Sequence, residues 1–301
     1  MLGLRFFNSS SFTCGMAILQ PSSVSLRSIL LATDFSPIAQ AALRHTVFLA
    51  RRFNARLYVL HVTRSSESRS LEDAWREAQR CVTDLFIAGE LDGVEYELIV
   101  DAGDTAEVIV RRASDLRVDL LTIGSQGHTG LGKILLGSVA ERVFRLAACP
   151  VLTVGPKAAS TTSIPVQRLV FATGFSGHSI KAGAYALSIA ERQSACLTVM
   201  YVVTEPLNSE LERKKIADES LARLESLIPA DPKLSCPPEF VVEFGTAAER
   251  IVHVATQRQA NLIVLGVRQP AGFARRLRWA TAYSVTVEAP CPVLTVRKTE
   301  P

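Results

Sequence analysis

The sequence predicts an α/β protein of two tandem domains, and three observations carry that reading. From Leu26 onward, short apolar runs alternate with helical patterns, an order that right-handed crossovers turn into a parallel sheet covered on both faces. The second half repeats the first, in kind where Leu30-Leu-Ala-Thr-Asp34-Phe-Ser36 returns as Leu169-Val-Phe-Ala-Thr-Gly174-Phe-Ser176, and outright where Cys149-Pro-Val-Leu-Thr-Val154 returns as Cys291-Pro-Val-Leu-Thr-Val296. The length, 301 residues, suits two ordinary domains, each able to bury a core.

The elements follow in order. Leu26 to Asp34 is a short apolar strand ending on a carboxylate, and Ser36-Pro37 starts a helix, with serine as cap and proline in the first turn. That helix runs to about Phe53 and buries Ala39, Ala42, Leu43 and Val47. Ala55 to Val62 is the second strand, Leu71 to Ala88 a second amphipathic helix, Val94 to Val100 a third strand and Thr105 to Leu116 a third helix. Asp119 to Gly124 reads as a buried parallel strand, and Ser138 to Ala147 as a fourth helix with Val139, Val143 and Leu146 at helical spacing. Pro150 to Val154 closes the first domain. The boundaries are then residues 26–155 for the first domain, a small, polar and proline-bearing linker at 156–165, and residues 166–298 for the second domain. Residues 1–25 read as a disordered extension, or as sequence upstream of a start at Met16.

Composition narrows the function classes. The chain is 48% apolar and 21% charged, as in a globular protein. Its net charge of +4 is small, and the one dense basic run, Arg275-Arg276-Leu277-Arg278, gives no footprint for nucleic acid. No apolar run reaches the roughly 18 to 20 residues of a membrane helix. The six cysteines, Cys14, Cys81, Cys149, Cys196, Cys236 and Cys291, are scattered without a Cys-x2-Cys pair. That spacing predicts reduced structural thiols in a cytoplasm rather than a zinc site or a disulfide framework. His45 and His253 fall within helical patterns, and His61 at a strand end reads as packed or hydrogen-bonded. No Gly-x-Ser-x-Gly elbow, His-Glu-x2-His pair or kinase catalytic loop occurs.

The functional signal lies in Gly124-Ser-Gln-Gly127-His-Thr-Gly-Leu-Gly-Lys133-Ile-Leu-Leu-Gly137-Ser138, between the fourth strand and the fourth helix. Amides at a helix N-terminus, beside a loop without side-chain bulk, make a cradle for anions. The Ser138 hydroxyl can cap the helix or contact a phosphate oxygen. The spacing fits neither a Walker loop nor a dinucleotide fingerprint.

The pattern Gly-x2-Gly-x9-Gly-Ser, with Gly124, Gly127, Gly137 and Ser138 at its fixed places, resembles the ATP-binding signature of the universal stress protein family, and the likeness spans residues 26–298. It implies a tandem member of that family: two doubly wound α/β domains, each a five-stranded parallel sheet of order 3-2-1-4-5 flanked by helices, packed as a pseudo-twofold pair. In that order the first and fourth strands are neighbours at a topological switch point, where ligands bind. The resemblance then implies that Thr33 and Asp34 contact the adenosine and that the Val62 backbone meets the adenine edge. Gly124, Ser125, Gln126 and Gly127 would run beside ribose and phosphates, and Gly137, Ser138 and Val139 would donate to the phosphates. Mg²⁺ would be held through the phosphates themselves.

The repeated Pro-Val-Leu-Thr-Val would leave a β-prone edge on each sheet. Pairing Val151 to Val154 with Val293 to Val296 covers both, as single-domain family members are similar in dimerising through that strand, and a homodimer of whole chains is also admitted. In the second domain Gly127 becomes Gln269, Gly137 becomes Trp279, Ser138 becomes Ala280 and Asp34 becomes Gly174, so the phosphate cradle is expected to be lost there. Arg268 and the nearby arginines read as a solvated basic loop. The leading expectation is a regulator in stress response that binds ATP in its first domain and contacts a protein partner as yet unidentified, with no catalytic constellation. The alternatives are an adenine-nucleotide hydrolase or transferase, for which only His128, Lys133 and Glu141 are candidates, and a nucleotide-free scaffold.

Overall fold

The structure, a computed structural model, describes residues 19, 24–63, 70–126, 136–159, 165–267 and 280–297. The first domain runs β1 (Ser28–Ala32), α1 (Pro37–Phe53), β2 (Arg56–Thr63), α2 (Leu71–Ile87), β3 (Tyr96–Ala102), α3 (Thr105–Asp115), β4 (Leu120–Gly124), α4 (Ser138–Leu146) and β5 (Val151–Val154). A single helical turn, α5 (Pro156–Ala159), follows. The second domain runs β6 (Arg168–Ala172), α6 (Gly177–Gln193), β7 (Cys196–Val203), α7 (Glu210–Glu225), β8 (Glu239–Phe244), α8 (Ala247–Gln257), β9 (Leu262–Val267), α9 (Ala280–Glu288) and β10 (Val293–Arg297).

The ten strands among the described residues form one sheet, in the order β3-β2-β1-β4-β5-β10-β9-β6-β7-β8. Each half has the expected 3-2-1-4-5 order with parallel neighbours. The halves meet where β5 and β10 pair antiparallel, with Leu152 opposite Leu294. Those two leucines occupy equivalent places in the repeat, so the pseudo-twofold axis passes through their pair.

Alternation along the strands builds two cores. Ile29 and Leu31 face a cluster with α1, α2, α6 and α7, whereas Leu30 and Ala32 face a second cluster with α3, α4, α8 and α9. This period-2 alternation is what a strand covered on both faces must show. It puts α1 and α4 on opposite faces of neighbouring strands, which opens the crevice between them.

The duplication extends to backbone strain. Phe35 and Phe175 both adopt the left-handed region (φ 59° and 55°), as do Asn54 and Ser194 (52° and 50°), and Arg117 and Gln259 (48° and 49°). Each domain also ties the starts of its first and fourth strands with one side chain. Asp119 accepts from the Arg27 and Ser28 amides (2.7 and 3.0 Å), and Asn261 accepts from those of Gln167 and Arg168 (both 3.0 Å).

One expectation needs correction, and two features were not foreseen. Leu19, placed in a disordered extension, is 1% exposed: its amide donates to the Leu227 carbonyl (2.9 Å) and its side chain packs over Gly183 of α6. The linker contains α5, whose Ala158 is buried and which packs against α1. Cys196 and Cys236, expected as free thiols, form a disulfide between β7 and the loop before β8. Spacing could not find this pair, because folding, not sequence, brings residues 40 positions apart to a Cα separation of 5.4 Å.

Two predictions follow from this packing. Leu294→Pro breaks the ladder at the axis and uncovers an apolar edge on each half; increased binding of a hydrophobic dye and higher oligomers on size-exclusion chromatography are expected, and an unchanged monodisperse profile would contradict the pairing. Burial, reinforced by Arg44, lowers the His45 imidazole on α1 from its ordinary 6.5 to about 4. The unfolded chain takes up that proton below about 6.5 while the folded protein excludes it until about 4, so stability declines as pH falls through this window. Denaturant titrations across it should show a loss of about 3 kcal/mol that His45→Leu largely removes.

Candidate functional site

The crevice at the C-terminal ends of β1 and β4 is a cavity of about 620 Å³, within the range of small-ligand sites. Thr33, Asp34, Val62, Gly124, Ser125, Gln126, Gly137, Ser138 and Val139 all line it. Of the residues expected there, Gly127 lies outside the described residues, as do His128 and Lys133. The cavity also takes residues that the sequence reading missed: Phe35 and His61 at the strand ends, Glu77 and Cys81 on α2, and Thr105 and Ile109 on α3. Glu77 and Cys81 flank the buried Ala74, Ala78 and Val82 stripe. The helical period marks that stripe, but nothing in the letters says that its border closes a crevice.

The β1 end is a tightly specified turn. The Thr33 hydroxyl accepts from the Phe35 amide (2.9 Å) and an Asp34 carboxylate oxygen from the Ser36 amide (3.0 Å). These two local hydrogen bonds hold Phe35 at positive φ, a costly conformation for a bulky residue. Its ring lies 5.2 Å from that of His61. His61 Nδ1 is 3.0 Å from the Thr33 carbonyl, which can only accept, so Nδ1 carries a proton and donates. Ser36 then caps α1 by accepting from the Ala39 amide (3.3 Å), with Pro37 at the first turn, as expected.

The β4 end differs in detail from the sequence reading. A Cβ on Gly124 would lie 3.0 Å from the Ile38 Cγ2 and 3.4 Å from the Ala39 nitrogen, so this glycine serves the close approach of α1 to β4. The glycine loop is closed at its base: the Gly137 amide donates to the Ser125 carbonyl (2.7 Å), and the Ser125 amide to that of Val154 (2.8 Å). A Cβ on Gly137 would approach the same Ser125 oxygen at 3.2 Å. Gly137, not Ser138, is the N-cap of α4, and it supplies no side-chain acceptor. Its own amide is spent on Ser125, which leaves the first-turn amides beginning at Ser138 and Val139 facing the cavity with the positive end of the helix dipole. Glu141, one turn on, does not line the cavity; its carboxylate lies 3.8 Å from Arg145.

The equivalent turn in the second domain keeps its backbone and changes its chemistry. The Thr173 hydroxyl accepts from the Phe175 amide (3.0 Å), but Gly174 offers no carboxylate, and the Ser179 hydroxyl takes over the Ser176 amide (2.9 Å). A Cβ on Gly266 would meet the Ser179 backbone at 2.6 Å, so α6 sits closer to its strand than α1 does. The Arg223 guanidinium lies 4.0 Å over the Phe175 ring. Gln269, Trp279 and the nearby arginines lie outside the described residues.

Comparison with known proteins decides the family. The model of the universal stress protein family matches twice, over residues 25–155 and 165–297. The chain belongs to the universal stress protein family. A universal stress protein of Methanocaldococcus jannaschii is 35% identical over 164 residues, 51% of this chain and 93% of that protein. A second, YxiE of Bacillus subtilis, is 31% identical over 143 residues, covering 42% of this chain and 97% of its own length. These relatives are therefore about half as long as this tandem universal stress protein. Among solved structures, a universal stress protein from Archaeoglobus fulgidus shares the fold with a TM-score of 0.70 at 21% identity, covering 90% of this chain and 98% of that one.

The two glycines predict an ordering. Gly124→Ala meets the Ile38 Cγ2 methyl at 3.0 Å and backbone no nearer than 3.4 Å and should cost about 1 kcal/mol, whereas Gly266→Ala meets backbone at 2.6 Å and should cost about 3 kcal/mol or prevent folding. Chemical denaturation of the two variants tests this, and equal losses would contradict the tighter seat of α6.

Proposed function

We propose that the first domain binds ATP and that the protein acts as a nucleotide-dependent regulator or partner-binding protein in stress response. One observation carries the reading: a helix N-terminus without a side-chain cap opens into a cavity that also holds a carboxylate, at the switch point of a doubly wound sheet. In this reading the Ser138 and Val139 amides and the Ser138 hydroxyl receive the phosphates, and Asp34 accepts from the ribose hydroxyls. The Val62 backbone meets the adenine edge, with the Phe35 and His61 rings forming an apolar wall. Mg²⁺ enters on the phosphates. Glu141, turned toward Arg145, is not offered as a base, so the protein is read as a binding protein rather than a hydrolase. The second domain, with Gly174 for Asp34 and a closer α6, is read as silent toward ATP.

The test is calorimetric titration of the full chain with Mg-ATP, beside a Gly127→Gln, Gly137→Trp variant that copies the second domain, with circular dichroism confirming that the variant is folded. One site per chain, lost in the variant, is expected. Two sites would overturn the silence of the second domain, and none would overturn ATP binding.

A further inference from the structure

The segment that runs into and through α4 is held at both ends by the other domain. At its entrance the Leu136 amide donates to the Tyr283 hydroxyl of α9 (3.4 Å). At its exit the Arg297 guanidinium, on the last residue of β10, donates from Nη1 to the Arg145 carbonyl (2.8 Å) and from Nη2 to the Phe144 carbonyl. Arg297 is 3% exposed, so this cation sits beneath the negative end of the α4 dipole with little water to screen it. Burial lowers its pKa to about 10, which still leaves it charged at neutral pH. Side chains of α4 and α9 also share one hydrophobic cluster, with Ala140, Val143 and Phe144 from one and Ala282 and Val285 from the other.

Among the described residues the arrangement is not reciprocal. With Cys149-Pro-Val-Leu-Thr-Val154 laid on Cys291-Pro-Val-Leu-Thr-Val296, Tyr283 corresponds to Glu141 and Arg297 to Gly155. Gly155 has no side chain to donate, and a Cβ there would come 3.2 Å from the Thr286 carbonyl of α9. The C-terminus of α9 instead receives the Lys157 ammonium at the Glu288 carbonyl (3.3 Å), from an exposed position on α5. Among the described residues, a buried two-pronged guanidinium and a tyrosine hydroxyl thus serve α4, and an exposed lysine serves α9.

We propose that the second domain is a built-in positioning partner for the first: Tyr283 and Arg297 fix the segment 136–146, and with it the amides that α4 presents to the cavity. The ligand role of those amides rests on the ATP-binding reading above. The positioning is expected at the phosphate end, because among the described residues the β1 turn takes its hydrogen bonds from within the first domain and Val62 lies in the β2–β3 ladder. Divergence of the second domain's own loop then leaves it with a task, namely to hold its neighbour's helix.

The experiment compares ATP and adenosine affinities of the full chain with those of Tyr283→Phe, which removes one hydroxyl and keeps the ring packing. Hydrogen exchange of residues 136–146 is followed in the ligand-free proteins. ATP binding is expected to weaken about three- to ten-fold, the range of one lost hydrogen bond, with adenosine binding unchanged and amide exchange near Leu136 faster. An unchanged ratio of the two affinities with unchanged exchange would overturn the proposal. Arg297→Lys keeps the charge but replaces the fork by one donor, and should speed exchange at the C-terminal end of the same segment. If the parent protein binds neither ligand, the ATP-binding reading fails, and the exchange rates by themselves decide whether the second domain positions the helix: faster exchange in the variants supports it, and unchanged exchange overturns it.

Discussion

The antiparallel pairing of β5 with β10 is the interaction on which the rest of the molecule depends. Without it the chain would present two five-stranded sheets, each with an apolar edge of unpaired backbone groups. With it, ten strands share one sheet, and the equivalent residues Leu152 and Leu294 meet at a pseudo-twofold axis. The pairing also brings α4 and α9 together on one face. The contacts of Tyr283 and Arg297 with the α4 segment pass through that geometry.

Within each domain the decisive local feature is the turn after the first strand. A phenylalanine in the left-handed region costs on the order of 1–3 kcal/mol, yet both domains keep it, at Phe35 and Phe175. Threonine two residues earlier provides the same backbone restraint in each case. What differs is the residue between them. Asp34 brings a carboxylate to the cavity, whereas Gly174 brings none, and the Ser179 hydroxyl takes over as acceptor for the Ser176 amide. Fold and ligand chemistry are thus carried by different residues of one short turn, which is how a duplicated domain can retain its architecture while its chemistry diverges.

The glycines show a similar separation. Gly124 and Gly266 are both places where a helix crowds a strand end, so neither by itself marks a ligand. Gly137 is different in kind: its amide closes the base of the glycine loop on Ser125, and its missing side chain leaves the start of α4 uncapped. The signature Gly-x2-Gly-x9-Gly-Ser therefore mixes residues required for packing with residues that expose amides.

Much of this was legible in the letters. Alternating apolar and helical periods, the repeat and the Ser36-Pro37 start specify local structure, and local structure with short crossovers leaves little choice of topology. The apolar run before it and the helical pattern after it place the glycine stretch between β4 and α4, whereas its place beside Asp34 follows from the sheet order that the family resemblance implies. Contacts between residues distant in the chain were not legible, since no period or spacing encodes them. The Cys196–Cys236 disulfide, the burial of Leu19 against α6, the closing of the cavity by Glu77 and Cys81, and the hold of Tyr283 and Arg297 on α4 all depend on which surfaces meet after folding. The sequence by itself determined the elements, their order and the chemistry available at the strand ends. Only the tertiary structure decided which side chains close the crevice and that one domain holds the other's helix, because those contacts arise from packing across the sheet and across the β5–β10 pair.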